Sequence, residues 1–169
     1  MFITSLPAIF AFTDFFSRLE FGAFILIVFL AIYYRVPALN RHWQDPKDKN
    51  LYHVLKACWL GEASLWRAFW PFFILANITF IYIDYRADNL TYTIESWRTV
   101  HSMLFFPLIW WLTSIWKCSD KTGKKIWAVC ARSLAFYFVT DFCLRLYISY
   151  NYPQILFDCY LLSLEYGDC

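Results

Sequence analysis

Three charged side chains, Arg132, Asp141 and Arg145, stand inside an otherwise apolar stretch at 126–148. Charge within a membrane span costs about 2.5–3.5 kcal/mol per residue on insertion scales, so such residues point to function. Asp141 and Arg145 are four residues apart and share a helix face, with the acid on the preferred N-terminal side. Arg132 lies near the start of the stretch, where a long side chain snorkels to the near surface. Three readings stay open: interfacial anchoring with one internal ion pair, a docking contact with another subunit, or an ion path. The last lacks a second intramembrane acid. Asn77 and Thr79 in the second apolar stretch, and Thr113 and Ser114 in the third, bond between helices at about 0.6 kcal/mol each or bond their own backbone.

Other chemistry has no signature. No GxSxG, HExxH, P-loop or GxGxxG motif occurs, so catalysis has no support. Ligation between facing helices needs two histidines at one depth. His42 and His53 fall in the first loop and His101 on the opposite side, so structural roles are expected and no metal or cofactor site. No nucleic-acid partner is expected, and no small-molecule substrate is evident. Of six cysteines, Cys58 and Cys118 belong to the reducing side. Cys130 and Cys143 are small residues of the fourth span. Cys159 and Cys169, in the tail, are either a disulfide in an oxidising compartment or two free thiols. The triplet Asn89-Leu90-Thr91 is a glycosylation sequon only in a secretory pathway.

The chain that carries these side chains is apolar. Of its 169 residues 60% are hydrophobic, 23% aromatic and 17% charged, with mean hydropathy +0.43. Soluble domains are about 45–50% apolar and about 25% charged, and one soluble core of this size cannot hide 18 Phe, 12 Tyr and 9 Trp. The reading is an all-α polytopic membrane protein with four transmembrane helices at about 21–39, 66–84, 100–116 and 126–148, and a tail at 149–169. Each charge-free run is slightly short of about 20 residues, and flanking Trp, Tyr, Arg and Lys extend it. An interfacial helix over 6–16 precedes the first span. Pro71 falls in the first turn of its helix, and Pro107 kinks the third span unless that helix starts later.

Lys and Arg number ten in the first and third loops, against three in the N-terminal tail and second loop. The positive-inside rule puts those two loops in the cytoplasm and both termini outside. Tryptophans agree, with Trp43, Trp59, Trp66, Trp70, Trp116 and Trp127 around the cytoplasmic boundary and Trp97 at the outer one. In the first loop, 50–60 carries apolar residues at 51, 54, 55, 58 and 59. That spacing predicts an amphipathic helix for the membrane surface or for a partner. The basic third loop, 117–125, is a topology signal or a contact for anionic lipid headgroups.

Two separated motifs occur in order: GEASLWRAFW at 61–70 and IWKCSDKTGKKIWAVCAR at 115–132. Together they resemble a family of small uncharacterised proteobacterial inner-membrane proteins. That family has a basic-aromatic Phe-Trp opening and a Trp-basic-small turn followed by Trp and Ala-Arg. The matching positions are Arg67, Phe69 and Trp70, then Trp116, Lys117, Cys118 and Ser119, then Trp127, Ala131 and Arg132, and the likeness covers roughly 60–148. Pro71-Phe72-Phe73 stands where the family has Tyr-Gly, and Asp120 where it has Asn. The resemblance implies a bacterial inner membrane and carries no catalytic residue. Arg67, Trp70, Trp116, Lys117 and Trp127 read as interfacial anchors, with Arg67 and Lys117 each beside a Trp.

The function expected is a non-catalytic integral membrane subunit, accessory or assembly component of a larger bacterial membrane complex. Other membrane subunits and phospholipid would be its partners, with contacts at Arg132, Asp141, Arg145 and Asn77. The alternative is a small oligomeric transporter or channel whose path uses Asp141, Arg145 and Asn77.

Overall fold

The computed structural model of the chain describes residues 18–36 and 50–160, with 164 and 167. The described elements are all helices: α1 Arg18–Arg35, α2 Leu51–Leu60, α3 Leu65–Asp88, α4 Ile94–Met103, α5 Phe105–Ser119, α6 Lys125–Asn151 and α7 Pro153–Leu156. The helix expected over 6–16 lies outside the described residues.

Three segments are long and apolar enough to cross a membrane: Leu65–Ala87, Ile94–Ser119 and Lys125–Asn151, with 23, 26 and 27 residues. At about 1.5 Å per residue each exceeds a hydrocarbon layer of about 30 Å. They are longer than the apolar runs because the helices continue through their polar flanks. Within α1, the apolar part Gly22–Arg35 is shorter.

The prolines sit differently from expectation. Pro71 is inside α3, beyond its first turn, because the helix already begins at Leu65, with Ala68 N–H donating to Ser64 O at 3.1 Å. The expected third span is two helices meeting at Leu104, where the backbone N–H turns back to His101 O at 3.1 Å and Val100 O at 3.3 Å. Pro107 then falls in the first turn of α5, where its missing N–H breaks no hydrogen bond. Thr93 caps α4, its hydroxyl accepting from Ser96 N–H at 3.2 Å, which satisfies one of the orphan donors at that end.

The described residues fall into two compact units. One contains 75–105 and the chain from 138 onward. Its core gathers Ile83, Ala87 and Trp97, with Tyr92, Val100, Leu104, Leu156 and Phe157 packed on them. Leu156 and Phe157, beyond α6, thus pack back onto this core, and Phe157 meets Trp97 edge-on at 5.3 Å. The other unit contains 18–74 and 106–137. There Val36, Ala128 and Val129 are buried under Phe29 and Ile32, and Trp111 is fully buried, its indole N–H donating to Phe69 O at 3.2 Å.

The helix expected near 50–60 is α2, but its packed face is not the stripe read from the sequence. Ala57 and Cys58 are buried, with Val54 half-buried, while Leu51, Leu55 and Trp59 are exposed. The apolar residues therefore make two adjacent faces, one packed inside the unit and one open. Gly61 ends α2 with φ +76°, and Gly61 and Glu62 N–H donate to Cys58 O and Ala57 O at 3.1 and 2.8 Å, a Schellman stop. A Cβ on Gly61 would lie 2.8 Å from Lys117 Cβ and 3.1 Å from its carbonyl carbon.

Gly61→Ala is therefore expected to destabilise the protein by about 2 kcal/mol, from left-handed backbone plus crowding. Gly123→Ala, with nothing within 4 Å of the new Cβ, is the neutral control. Thermal unfolding in detergent micelles distinguishes them.

Candidate functional site

The unit containing 75–105 and 138 onward holds a buried polar cluster. On α6, Arg145 Nε donates to Asp141 Oδ2 at 3.2 Å, as the four-residue spacing requires. The same guanidinium donates through NH1 to both oxygens of Asp84 on α3, at 3.0 and 3.3 Å. Asp141 and Arg145 are each 3% exposed. One guanidinium thus serves two carboxylates on two helices, and lies 5.6 Å above the Phe80 ring, which adds a cation–π contact.

Trp97 of α4 joins the cluster, its indole N–H donating to Asp84 Oδ1 at 3.2 Å. Expected at the outer interface, Trp97 is instead 2% exposed. An indole can be buried this deeply once its one donor has a partner. His101, one turn on, stacks on Trp97 at 3.6 Å and on Phe80 at 5.1 Å. Its Nδ1 lies 3.0 Å from Trp97 O. A carbonyl only accepts, so Nδ1 carries a proton, and in the neutral ring Nε2 is a lone-pair acceptor. His101 Nε2 and Asp141 Oδ1 are buried without a protein hydrogen-bond partner.

The sequence missed Asp84, placing it at the edge of the second span. The signal was present: α3 buries Ala76, Phe80, Ile83 and Ala87, a helical stripe, and Asp84 follows Phe80 by four residues. The ion-path reading lacks a second acid in the apolar stretches, and Asp84 lies inside Leu65–Ala87, a segment long and apolar enough to cross a membrane. Asn77 is half-buried two turns before Asp84 and so on the same face. Thr79, Thr113 and Ser114 bond carbonyls of their own helices at 2.8–3.0 Å, not other helices.

Arg132 belongs to the unit containing 18–74 and 106–137. It is 4% exposed and reaches the end of α5, donating to Ser119 Oγ at 2.7 Å and Trp116 O at 3.1 Å. It also pairs with Asp120 and stands 4.7 Å over the Trp116 ring. Lys117 stands beside a Trp, as expected, and that Trp is Trp59. Its Nζ donates to Trp59 O at 3.1 Å and lies 4.9 Å over the Trp59 ring, because α2 ends beside it. Arg67, Trp70, Trp116, Lys117 and Trp127 are all exposed, and Trp66 lies 5.5 Å from Trp70 and 5.8 Å from Trp127.

Cys118 Sγ donates to Cys58 O at 3.5 Å. Both thiols are free and buried, and burial pushes the Cys58 thiol up, with Arg67 opposing, so it is a poor nucleophile. Cys159 is disulfide-bonded; its expected partner, Cys169, lies outside the described residues. Among the described residues no group of three His, Cys, Asp or Glu could hold a metal. No protein-family model matches the chain, and no curated protein or solved structure matches it.

Arg145→Leu leaves two carboxylates without their shared cation and is expected to cost about 3–5 kcal/mol. Asp141→Leu with Arg145→Leu removes the buried pair together and should recover part of that loss, Asp84 still lacking its cation. Unfolding in mixed micelles measures both; equal losses would contradict the pairing.

Proposed function

We propose that the chain is a non-catalytic integral membrane subunit, an accessory or assembly component of a larger complex in a bacterial inner membrane. The observation that carries this reading is where its cations go. Arg98, Lys117, Arg132 and Arg145 all bond groups of this chain's own helices. What faces outward is apolar and aromatic, including Phe24, Leu26, Ile78, Tyr82, Phe136 and Tyr147. A protein that uses its buried charge for internal ties and presents bulky side chains outward suits a scaffold held in lipid against other subunits. The resemblance noted in the sequence supports the inner-membrane placement.

In this reading α1 and its flanks make a fourth span. The two basic loops lie in the cytoplasm and both termini in the periplasm. The open face of α2, with Leu51, Leu55 and Trp59, then lies along the cytoplasmic membrane surface or on a partner.

A second reading, a small oligomeric transporter, is favoured by one observation. Asp84 and Asp141 share a single guanidinium, and His101 Nε2 and Asp141 Oδ1 are buried with unused acceptor capacity.

A mild-detergent pull-down from the native membrane, read by native mass, is expected to return a stoichiometric set of other membrane proteins. A lone homo-oligomer would move the reading to transport. In that case proton or ion flux into proteoliposomes should fall at least tenfold in Asp141→Asn. Reporter fusions test the layout independently: four spans put both termini on one side, and three put them on opposite sides.

A further inference from the structure

In the unit containing 18–74 and 106–137, α3 and α6 border a cavity of about 300 Å³, at the lower end of small-molecule sites. Its walls are Trp66, Phe69 and Trp70 of α3 and Trp127, Ala131 and Leu134 of α6. Trp66, Trp70, Trp127 and Leu134 are exposed, so the apolar space opens outward. One part of the lining is different: Thr122, Gly123 and Lys124, the turn leading into α6. The Thr122 hydroxyl is buried without a protein hydrogen-bond partner. Lys124 is exposed, with Lys121 and Lys125 beside it in sequence. Trp127 N–H bonds Lys124 O at 3.1 Å, so the amides of Lys125 and Ile126 are orphan donors at the positive end of a 27-residue helix.

We infer that this cavity binds one anionic phospholipid, with an acyl chain between the tryptophans and the phosphate at Thr122, Lys124 and the start of α6. Three features choose this occupant. The walls are mostly aromatic rings and aliphatic side chains, which an acyl chain matches without needing hydrogen bonds. Charge is confined to one end and is of one sign, complementary to an anionic headgroup and not to a zwitterionic or neutral one. The amides at the start of a long helix are suited to phosphate oxygens. The Trp66–Trp70 stack, at 5.5 Å and 6° between planes, supplies a rigid wall that does not have to be ordered on binding.

The site does not depend on the subunit reading, and its test is separate. Purified protein in detergent is titrated with phosphatidylglycerol or with phosphatidylcholine, and bound lipid is counted by native mass. One phosphatidylglycerol should stay bound at activation energies that strip all phosphatidylcholine. Lys124→Ala should weaken it about fivefold, the value of one surface lysine toward an anionic lipid. Ala131→Phe, which fills the cavity, should abolish it. Leu134→Trp blocks the same space from an exposed wall if Ala131→Phe fails to fold. Equal retention of both lipids would overturn the proposal. So would binding unchanged by Lys124→Ala and the blocking variant, or a neutral isoprenoid or a protein segment as the native occupant.

Discussion

Three helices of this chain end on a cation supplied by another helix. Lys117 of α5 reaches Trp59 O at the end of α2, Arg132 of α6 reaches Trp116 O at the end of α5, and Arg98 of α4 reaches Ser149 O near the end of α6. The last four carbonyls of a helix have no partner within it. A guanidinium or ammonium there satisfies the carbonyl and meets the negative end of the helix dipole together. Each helix end is thereby tied to a particular residue of a particular neighbour, which fixes the helices in register as well as in contact.

Arg145 follows the same logic with carboxylates in place of carbonyls. A lone arginine or aspartate at that burial is expensive, and the pair at four-residue spacing compensates only part of the cost. Asp84 brings the second carboxylate and Trp97 its indole N–H. The cluster then extends through the stacked rings of Trp97, His101 and Phe80. Most of its polar atoms are matched, which is the behaviour of a structural tie. His101 Nε2 and Asp141 Oδ1 are the exceptions, and they keep a transport role physically meaningful.

Residues of the two segments 61–70 and 115–132 are close neighbours in the folded chain. Arg132, Ser119 and Trp116 form one cap, and Trp66, Trp70 and Trp127 border one cavity. Small residues earn their positions by what stands beside them: Gly61 has Lys117 against it, and Ala131 lines the cavity. The scarcity of glycine and the abundance of tryptophan then agree, because ring stacking and cation–π contacts replace close backbone approach as the means of joining helices.

Much was legible in the sequence. Composition and run length pointed to apolar helices in four places, of which three are long enough to cross a membrane, and apolar spacing pointed to the helix near 50–60. Spacing alone determined that Asp141 and Arg145 face the same way, because a helix has 3.6 residues per turn wherever it stands. Which residues meet across helices was not legible. Nothing in the order of residues pairs Asp84 with Arg145 at 61 positions' separation, packs Trp97 into a core, or says which Trp stands beside Lys117. The break at Leu104 and the packed face of α2 belong with these. Local periodicity is set by backbone geometry within a few residues. The satisfaction of a buried charge or an orphan carbonyl is set by whichever distant group the packing brings within about 3 Å, and only the tertiary structure decides that.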